Sequence, residues 1–316
     1  MSDFRKKLIT MVVPCFNERE TVGPFVDTIE PIVEKLHDRY ETRIVFVNDG
    51  SHDDTLDLIK GLAATHPDIR YVSFSRNFGK EIAVYAGLMA AQAMGSDAAI
   101  PMDVDLQDPP YLIPEFVKWW ERGYEYIYGH FDSRKGQNFI KKTLSSEFYR
   151  VYSHLTGDKL IRSGDRDYAL MDKKVLKAFV DIKDKDRFNR GIADFVGFKR
   201  KEIVFPYVNR TKGKTKYSLR KMIRYALSSF REFGTLYLLV PESFIALSLV
   251  GIVAFSVLGG LGIGWWDYLP IGLCSLTLSI SILSYFHMKL QYQAREETRK
   301  RPIYIVSETN VEGIDR

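Results

Sequence analysis

From Phe244 to Met288 the chain has no lysine or arginine and one acidic residue, Asp267. On either side of that residue lie two uncharged, mostly apolar runs of about 20 residues, Phe244–Ile263 and Leu269–Met288, with His287 near the end of the second. Each is long enough for a helix to cross the hydrocarbon core of a bilayer. Gly264-Trp265-Trp266-Asp267-Tyr268 joins them, and its aromatics suit a membrane–water interface. Arg220, Lys221, Arg224 and Arg231 precede the hairpin, and Lys289, Arg295, Arg299, Lys300 and Arg301 follow it. Positive charge stays on the cytoplasmic side of a membrane, so both flanks are expected there and the hairpin tip outside. A buried helical hairpin in a soluble core is the competing reading, which the Gly and Ser content allows. Two spans are too few for a solute channel within one chain and fit an anchor.

The 316 residues leave room for one sizeable domain before the hairpin. A net charge of +5 is too small to argue for a nucleic-acid partner. Cys15 and Cys274 have no partner at metal-ligand spacing, which argues against zinc and gives a disulfide little support. The apolar run in MSDFRKKLITMVVP is too short for a signal peptide, so the first domain is expected to stay in the cytoplasm.

Up to about residue 208, β-rich runs alternate with helical patterns, as in an α/β sheet with crossover helices. The pattern predicts strands at Leu8–Val13, Arg43–Val47, Ile69–Phe74, Ala98–Met102, Tyr126–Tyr128, Tyr168–Met171 and Lys201–Val208. Helices are predicted at Val22–Leu36, from Asp53 or Asp54, and at Lys80–Met94, Leu112–Glu121 and Lys173–Val180. Phe139–Leu155 and Ser218–Phe230 read as amphipathic helices. Asn17-Glu18, Asn48-Asp49, Arg76-Asn77 and Asp103-Val104-Asp105 all follow strands, and ligands of such sheets bind at the strands' carboxyl ends.

Asp103-Val104-Asp105 is the central chemical feature. Residues two apart on an extended stretch point the same way, and Gln107 continues the alternation with a carbonyl oxygen. Hard oxygens suit Mg²⁺ or Mn²⁺, which usually complete their shell with substrate phosphates. A solvated acidic turn is the bland alternative; the position after a strand and before Pro109-Pro110 favours the metal. Asp49 and Glu18 can accept hydrogen bonds from a nucleotide base or ribose, although taken alone both read as turn residues. The chain has no Gly-rich phosphate cradle and no dinucleotide fingerprint, which leaves ATP hydrolysis and hydride transfer without support.

In this order, VVPCFNERETV, VFVNDGSHDDT, SFSRNFGKEIAVYAGL, MDVDLQDPP, RDYALMDKKV, RFNRGIADFVGF and VNRTKGKTKYSLRKM resemble the family 2 glycosyltransferases. The likeness is to those acting on polyprenyl phosphates, such as dolichol-phosphate mannose synthases and bactoprenol glucosyltransferases. It implies a GT-A catalytic domain over 1–215, a juxtamembrane helix at 216–232, the hairpin within 233–290 and a cytoplasmic tail at 291–316. It also implies an inverting displacement that moves a hexose from a nucleotide diphosphate onto undecaprenyl phosphate. UDP-glucose is the first choice of donor, with UDP-N-acetylglucosamine and UDP-galactose next. Related enzymes with paired spans often form tetramers.

By the same resemblance Pro14, Phe16, Glu18, Val47 and Asp49 hold the nucleoside, and Asn77, Lys80 and Arg187 join the substrate site. Asp103, Asp105 and Gln107 surround the metal. Asp167 lies near the reaction centre, with Arg166 or Arg187 as a structural partner in the alternative reading. Arg210 and Lys216 close over the diphosphate, and Ser145, or Ser146 in the adjacent register, meets the acceptor phosphate. Ala169 and Gly129-His130-Phe131 stand where relatives often carry arginines, which moves acceptor contacts to Arg134, Lys141 or Lys142.

A phosphate monoester is already an anion and needs no general base, so orientation and charge neutralisation carry the chemistry. A processive polysaccharide synthase would carry Gln-x-x-Arg-Trp and further spans, and this sequence has neither. A non-catalytic membrane-tethered nucleotide-sugar binder is disfavoured by the intact acidic motif.

Overall fold

The computed structural model describes residues 5–132, 165–184, 187–206, 269–299 and 301–314, with scattered positions between 243 and 257. The predicted amphipathic helices, most of the first apolar run, and Arg134, Ser145, Ser146, Arg210 and Lys216 lie outside the described residues.

The described residues form an α/β domain around an eight-stranded sheet. Its strands are β1 (Lys7–Cys15), β2 (Tyr40–Asn48), β3 (Ile69–Phe74), β4 (Ala98–Pro101), β5 (Tyr126–Asp132), β6 (Asp165–Asp172), β7 (Arg200–Pro206) and β8 (Val306–Thr309). They lie in the order β7-β5-β6-β4-β1-β2-β3-β8. Helices α1 (Val22–Glu34), α2 (Thr55–Thr65), α3 (Lys80–Ala93) and α4 (Ile113–Glu121) serve the first half, and α5 (Lys173–Asp181) and α6 (Asn189–Phe195) the second. A 3₁₀ turn, Pro110–Leu112, precedes α4.

β1 is central because it can be buried on both faces: Leu8, Ile9, Met11, Val12 and Val13 are all within 1% of full burial. Such near-continuous apolar runs mark strands of a parallel sheet covered on both sides. β1 pairs in parallel with β2 on one side and β4 on the other, and β2 with β3. Helix α3 lies tight against this sheet through Gly87, where a Cβ would meet Val12 Cγ1 at 2.2 Å. Any side chain there would push the helix, and the loop that begins it, off the strands.

β6 runs antiparallel to both β4 and β5. Its amino end therefore reaches the edge where the carboxyl ends of β1 to β4 emerge. The register Ala98↔Asp172 and Ala99↔Met171 runs β6 back from the start of β4 toward the end that leads into Asp103, the direction in which Asp167 lies.

The last residues belong to the sheet. The segment expected as a cytoplasmic tail supplies β8, which pairs antiparallel with β3; Val306 within it and Val311 just after it are each 5% exposed. Ahead of it runs helix α7 (Leu269–Thr298), which covers the second apolar run. Its Leu278, Ile280 and Met288 are more than half exposed. Among the described residues no helix is long and apolar enough to cross a membrane.

Candidate active site

The loops that follow β1 and β2 are built as one unit. Asn17 adopts a left-handed backbone (φ 54°), its N–H donates to Ser51 Oγ at 2.9 Å, and its Oδ1 accepts from the His52 N–H at 2.8 Å. The Glu18 N–H donates to Thr55 Oγ1 at 2.8 Å, and the Glu18 carboxylate accepts from Thr21 Oγ1 at 2.7 Å. Pro14 and Val47 are register partners on β1 and β2, and Phe16 meets the His52 ring edge-on at 6.3 Å. Of the expected nucleoside contacts, Pro14, Phe16 and Glu18 are half-buried at the strand ends, and Val47 is fully buried.

Asp49 does something the sequence did not announce. Its carboxylate is 3% exposed and faces inward, accepting from the Asn77 side chain at 2.9 Å, the Phe78 N–H at 2.6 Å and the Gly79 N–H at 3.0 Å. It holds the β3–α3 loop in place, and Asn77 is spent on the same contact. Burial pushes the Asp49 carboxyl up to about 6, against the lowering effect of those N–H donors. Gly50 makes the contact possible. Its φ is +63°, and a Cβ there would lie 2.3 Å from the Arg76 carbonyl carbon.

The loop so placed ends at Lys80, the first residue of α3. Lys80 Nζ lies 2.5 Å from Asp103 Oδ1, with the lysine side chain 33% and the aspartate side chain 21% exposed. Burial works against the lysine's charge, but Asp103, Asp167 and Asp108 outweigh it and hold the ammonium strongly protonated. Across the site Asp167 Oδ1 accepts from Arg190 Nε at 3.1 Å. Next to them Glu81 accepts from the Asn189 N–H at 3.0 Å, and the Asn189 side chain donates to the Glu81 carbonyl at 3.2 Å. Burial first, then the nearby Asp167, raises the Glu81 carboxyl to about 7.

Beyond β4 the chain does not stay extended. Val104 and Asp105 turn, Leu106 takes a left-handed conformation (φ 58°), and the Gln107 N–H donates to Asp105 Oδ1 at 3.1 Å. The expected alternation holds through Asp105, since buried Met102 and Val104 alternate with half-open Asp103 and Asp105. It ends there, and Gln107 follows the turn instead of continuing the strand. Asp108 Oδ2 accepts from the Asp103 N–H at 2.9 Å, and Tyr168 Oη donates to the Pro109 carbonyl at 2.9 Å, which pins the turn to β6.

Arg187 corrects the sequence reading. It is 4% exposed, lies 4.1 Å above the Tyr85 ring, and donates to the Phe179 and Ile182 carbonyls and to Asn189 Oδ1. Its guanidinium supports the turn before α6. The arginine facing Asp167 is Arg190, which sequence reasoning missed together with Glu81, Asn189 and Asp108. The signal for Arg190 was its place at the head of a helix in RFNRGIADFVGF, one turn beyond the arginine that was chosen.

Asp103, Asp108, Asp167 and Glu81 thus gather with Lys80 and Arg190 as the cations the geometry places among them, and Asp105 follows Asp103 by two residues. Among the described residues no three His, Cys, Asp or Glu side chains form a ready metal cage. A Mg²⁺ or Mn²⁺ ion is commonly held by one or two carboxylates together with substrate phosphates. Asp103 and Asp105 have the donor chemistry for it, and a local excess of carboxylate attracts a cation.

The profile of Glycosyl transferase family 2 matches residues 10–179. The uncharacterized glycosyltransferase YkcC of Bacillus subtilis (strain 168) is 32% identical over 311 residues, covering 95% of this chain and 93% of its own. A prophage bactoprenol glucosyl transferase homolog of Escherichia coli (strain K12) is 33% identical over 313 residues, covering 94% of this chain and 98% of its own. Among solved structures, glucosyl-3-phosphoglycerate synthase from Mycobacterium tuberculosis, in complex with Mn²⁺ and UDP, aligns with a TM-score of 0.46 at 18% identity. That alignment covers 72% of this chain and 80% of the other, and is too loose to inform the ligands.

Proposed function

Because this chain belongs to glycosyl transferase family 2, we propose that it moves a hexose from a nucleotide diphosphate sugar, UDP-glucose first, onto a polyprenyl phosphate. The observation that carries the reading is the acidic cluster at the ends of β4 and β6, where Lys80 meets Asp103 and Arg190 meets Asp167. It stands beside the ordered β1–β2 loops, where a nucleoside would lie in a sheet of this kind. The name of the E. coli relative supports a bactoprenol acceptor.

In the displacement, an oxygen of the acceptor phosphate forms a bond to the anomeric carbon while the bond from that carbon to the diphosphate breaks. The electron pair leaves with the diphosphate. A divalent metal held by Asp103 and Asp105, with Gln107 adjoining, would neutralise that charge. Lys80 approaches the same phosphates from the head of α3, where the helix N-terminus also favours an anion. Asp167 needs no proton to abstract, because the attacking phosphate is already ionised. Fixed by Arg190, it orients a sugar hydroxyl.

The exposed apolar face of α7 and the basic residues after it support a two-span hairpin at about 244–263 and 269–288, with the active site on the cytoplasmic face. Arg210, Lys216 and Arg134 remain assigned to the diphosphate and acceptor phosphate, and Ser145 to the acceptor. The test is to incubate the full chain in membranes with Mn²⁺, undecaprenyl phosphate and each of UDP-glucose, UDP-N-acetylglucosamine and UDP-galactose, and to weigh the lipid. A hexosyl phospholipid from one donor is the expected result. Formation of a long glycan, or no lipid-linked sugar from any donor, would overturn the reading.

A further inference from the structure

The tail reaches further into the domain than one strand pairing requires. Tyr304 stacks on Phe74 at 4.9 Å between ring centroids, and Phe74 meets Phe78 edge-on at 5.5 Å. Phe78 is the residue whose N–H donates to Asp49. On its other side Tyr304 meets the Tyr85 ring edge-on at 6.3 Å, and Arg187 lies over that same ring. Its hydroxyl reaches Met89 Sδ at 3.3 Å on α3. One side chain, from about 220 positions away in sequence, thus touches supports of both site loops: the one ending at Lys80 and the one beginning α6.

The backbone around it is clasped to β3. The Ser75 N–H donates to the Ile305 carbonyl at 3.0 Å, and Ser307 Oγ to the Ser73 carbonyl at 3.1 Å. Ser73 Oγ accepts from the Asn48 side chain at 3.0 Å, directly before Asp49. Lys60 and Glu308 pair at 2.9 Å on the outside. From Thr298, the last residue of α7, to Tyr304 is at most roughly 22 Å of chain.

Building on the nucleotide-sugar reading above, we propose that Tyr304 is a positioning residue for the donor side of the active site. Through the Phe74–Phe78 contact it holds the Asn77–Lys80 loop on Asp49, so that Lys80 meets Asp103. Through Tyr85 it supports the Arg187 turn that presents Asn189 and Arg190. The segment after α7 is therefore part of the catalytic unit, and its short leash keeps that unit close to the end of the helix.

The test compares full-length Tyr304→Ala, Tyr304→Leu and Tyr304→Phe with Val311→Ala, a buried tail residue two positions past the end of β8. Hydrogen exchange of the Phe78 and Gly79 amides is read first, because it needs no ligand. Loss of the ring should speed their exchange by about ten-fold in the Ala and Leu variants, while Tyr304→Phe and Val311→Ala stay within about two-fold of wild type. UDP binding with Mn²⁺, by calorimetry, should weaken in the same two variants by about five-fold and not in the other two. Unchanged exchange at Phe78 and Gly79, or equal acceleration in Val311→Ala, overturns the positioning role. A wild-type chain that binds no UDP would instead overturn the nucleotide reading, with the exchange result still deciding the role of Tyr304.

Discussion

On the β1–β2–β3 side of the site, loops are tied by hydrogen bonds among backbone amides, Asn17, Ser51, Thr55 and Asn77, with Asp49 as the inward-facing hub. On the β4–β6 side, the contacts between elements include ion pairs, Lys80 with Asp103 and Arg190 with Asp167. The first wall is a shape, completed in the folded chain before anything binds. The second is a charge distribution, whose ion-pair geometry is open to a metal and a diphosphate. A nucleoside needs a preformed outline, whereas a leaving diphosphate needs charges that can exchange partners as it develops. The two walls meet at Lys80, which belongs to the loop of the first and the ion pairs of the second.

If that division is right, the charged wall should dominate turnover. Asp103→Asn removes the proposed metal ligand and the partner of Lys80, and should lower kcat on the order of a thousand-fold with little change in thermal midpoint. A loss confined to donor KM would place Asp103 on the shape-forming side instead. The next effect belongs to the shaped wall. Gly50→Ala forces a side chain into a left-handed position and against the Arg76 backbone, costing about 1–3 kcal/mol of stability and raising donor KM more than it lowers kcat. Urea denaturation and steady-state kinetics read both, and an unchanged protein would mean the close approach of the two loops is not required.

The smallest effect sits where the walls join, and it is one of pH. Glu81 titrates near 7 in the folded chain against an ordinary 4.5, so folding favours its protonated form. Its stabilising contribution is complete below about pH 4.5 and is lost as pH rises through about 7. Asp49 behaves alike over a lower window, from 3.8 to about 6. Glu81→Gln should therefore flatten the fall in thermal midpoint between about pH 5 and 7 without abolishing it. An unaltered slope would show that the Glu81 carboxyl is not raised in the folded chain.

Much of the first wall was legible. β3 runs from Ile69 to Phe74 as the apolar pattern required, and α3 starts at Lys80 as expected. Local pattern sufficed because crossover helices and parallel strands each carry their own periodicity. The second wall was read less well, because its partners come from separate segments. Asp167 was placed near the reaction centre with Arg166 or Arg187 as its alternative partner, whereas the fold pairs it with Arg190 on α6 and buries Arg187 just before that helix. β8 was missed altogether. Val306–Thr309 is four residues with only one buried to the core, too short for a periodic signal, and its partner β3 lies over 230 residues earlier.

The sequence by itself determined the alternating sheet, the order in which polar clusters leave its strands, the acidic pair after β4 and the apolar runs near the end. These follow from periodicity and composition, which act over a few residues. Only the tertiary structure decided that Asp49 faces a loop, that Arg190 holds Asp167, that Lys80 holds Asp103, and that the tail completes the sheet. Each depends on which groups are buried together, and burial removes the water that would otherwise let every charge and amide stand alone.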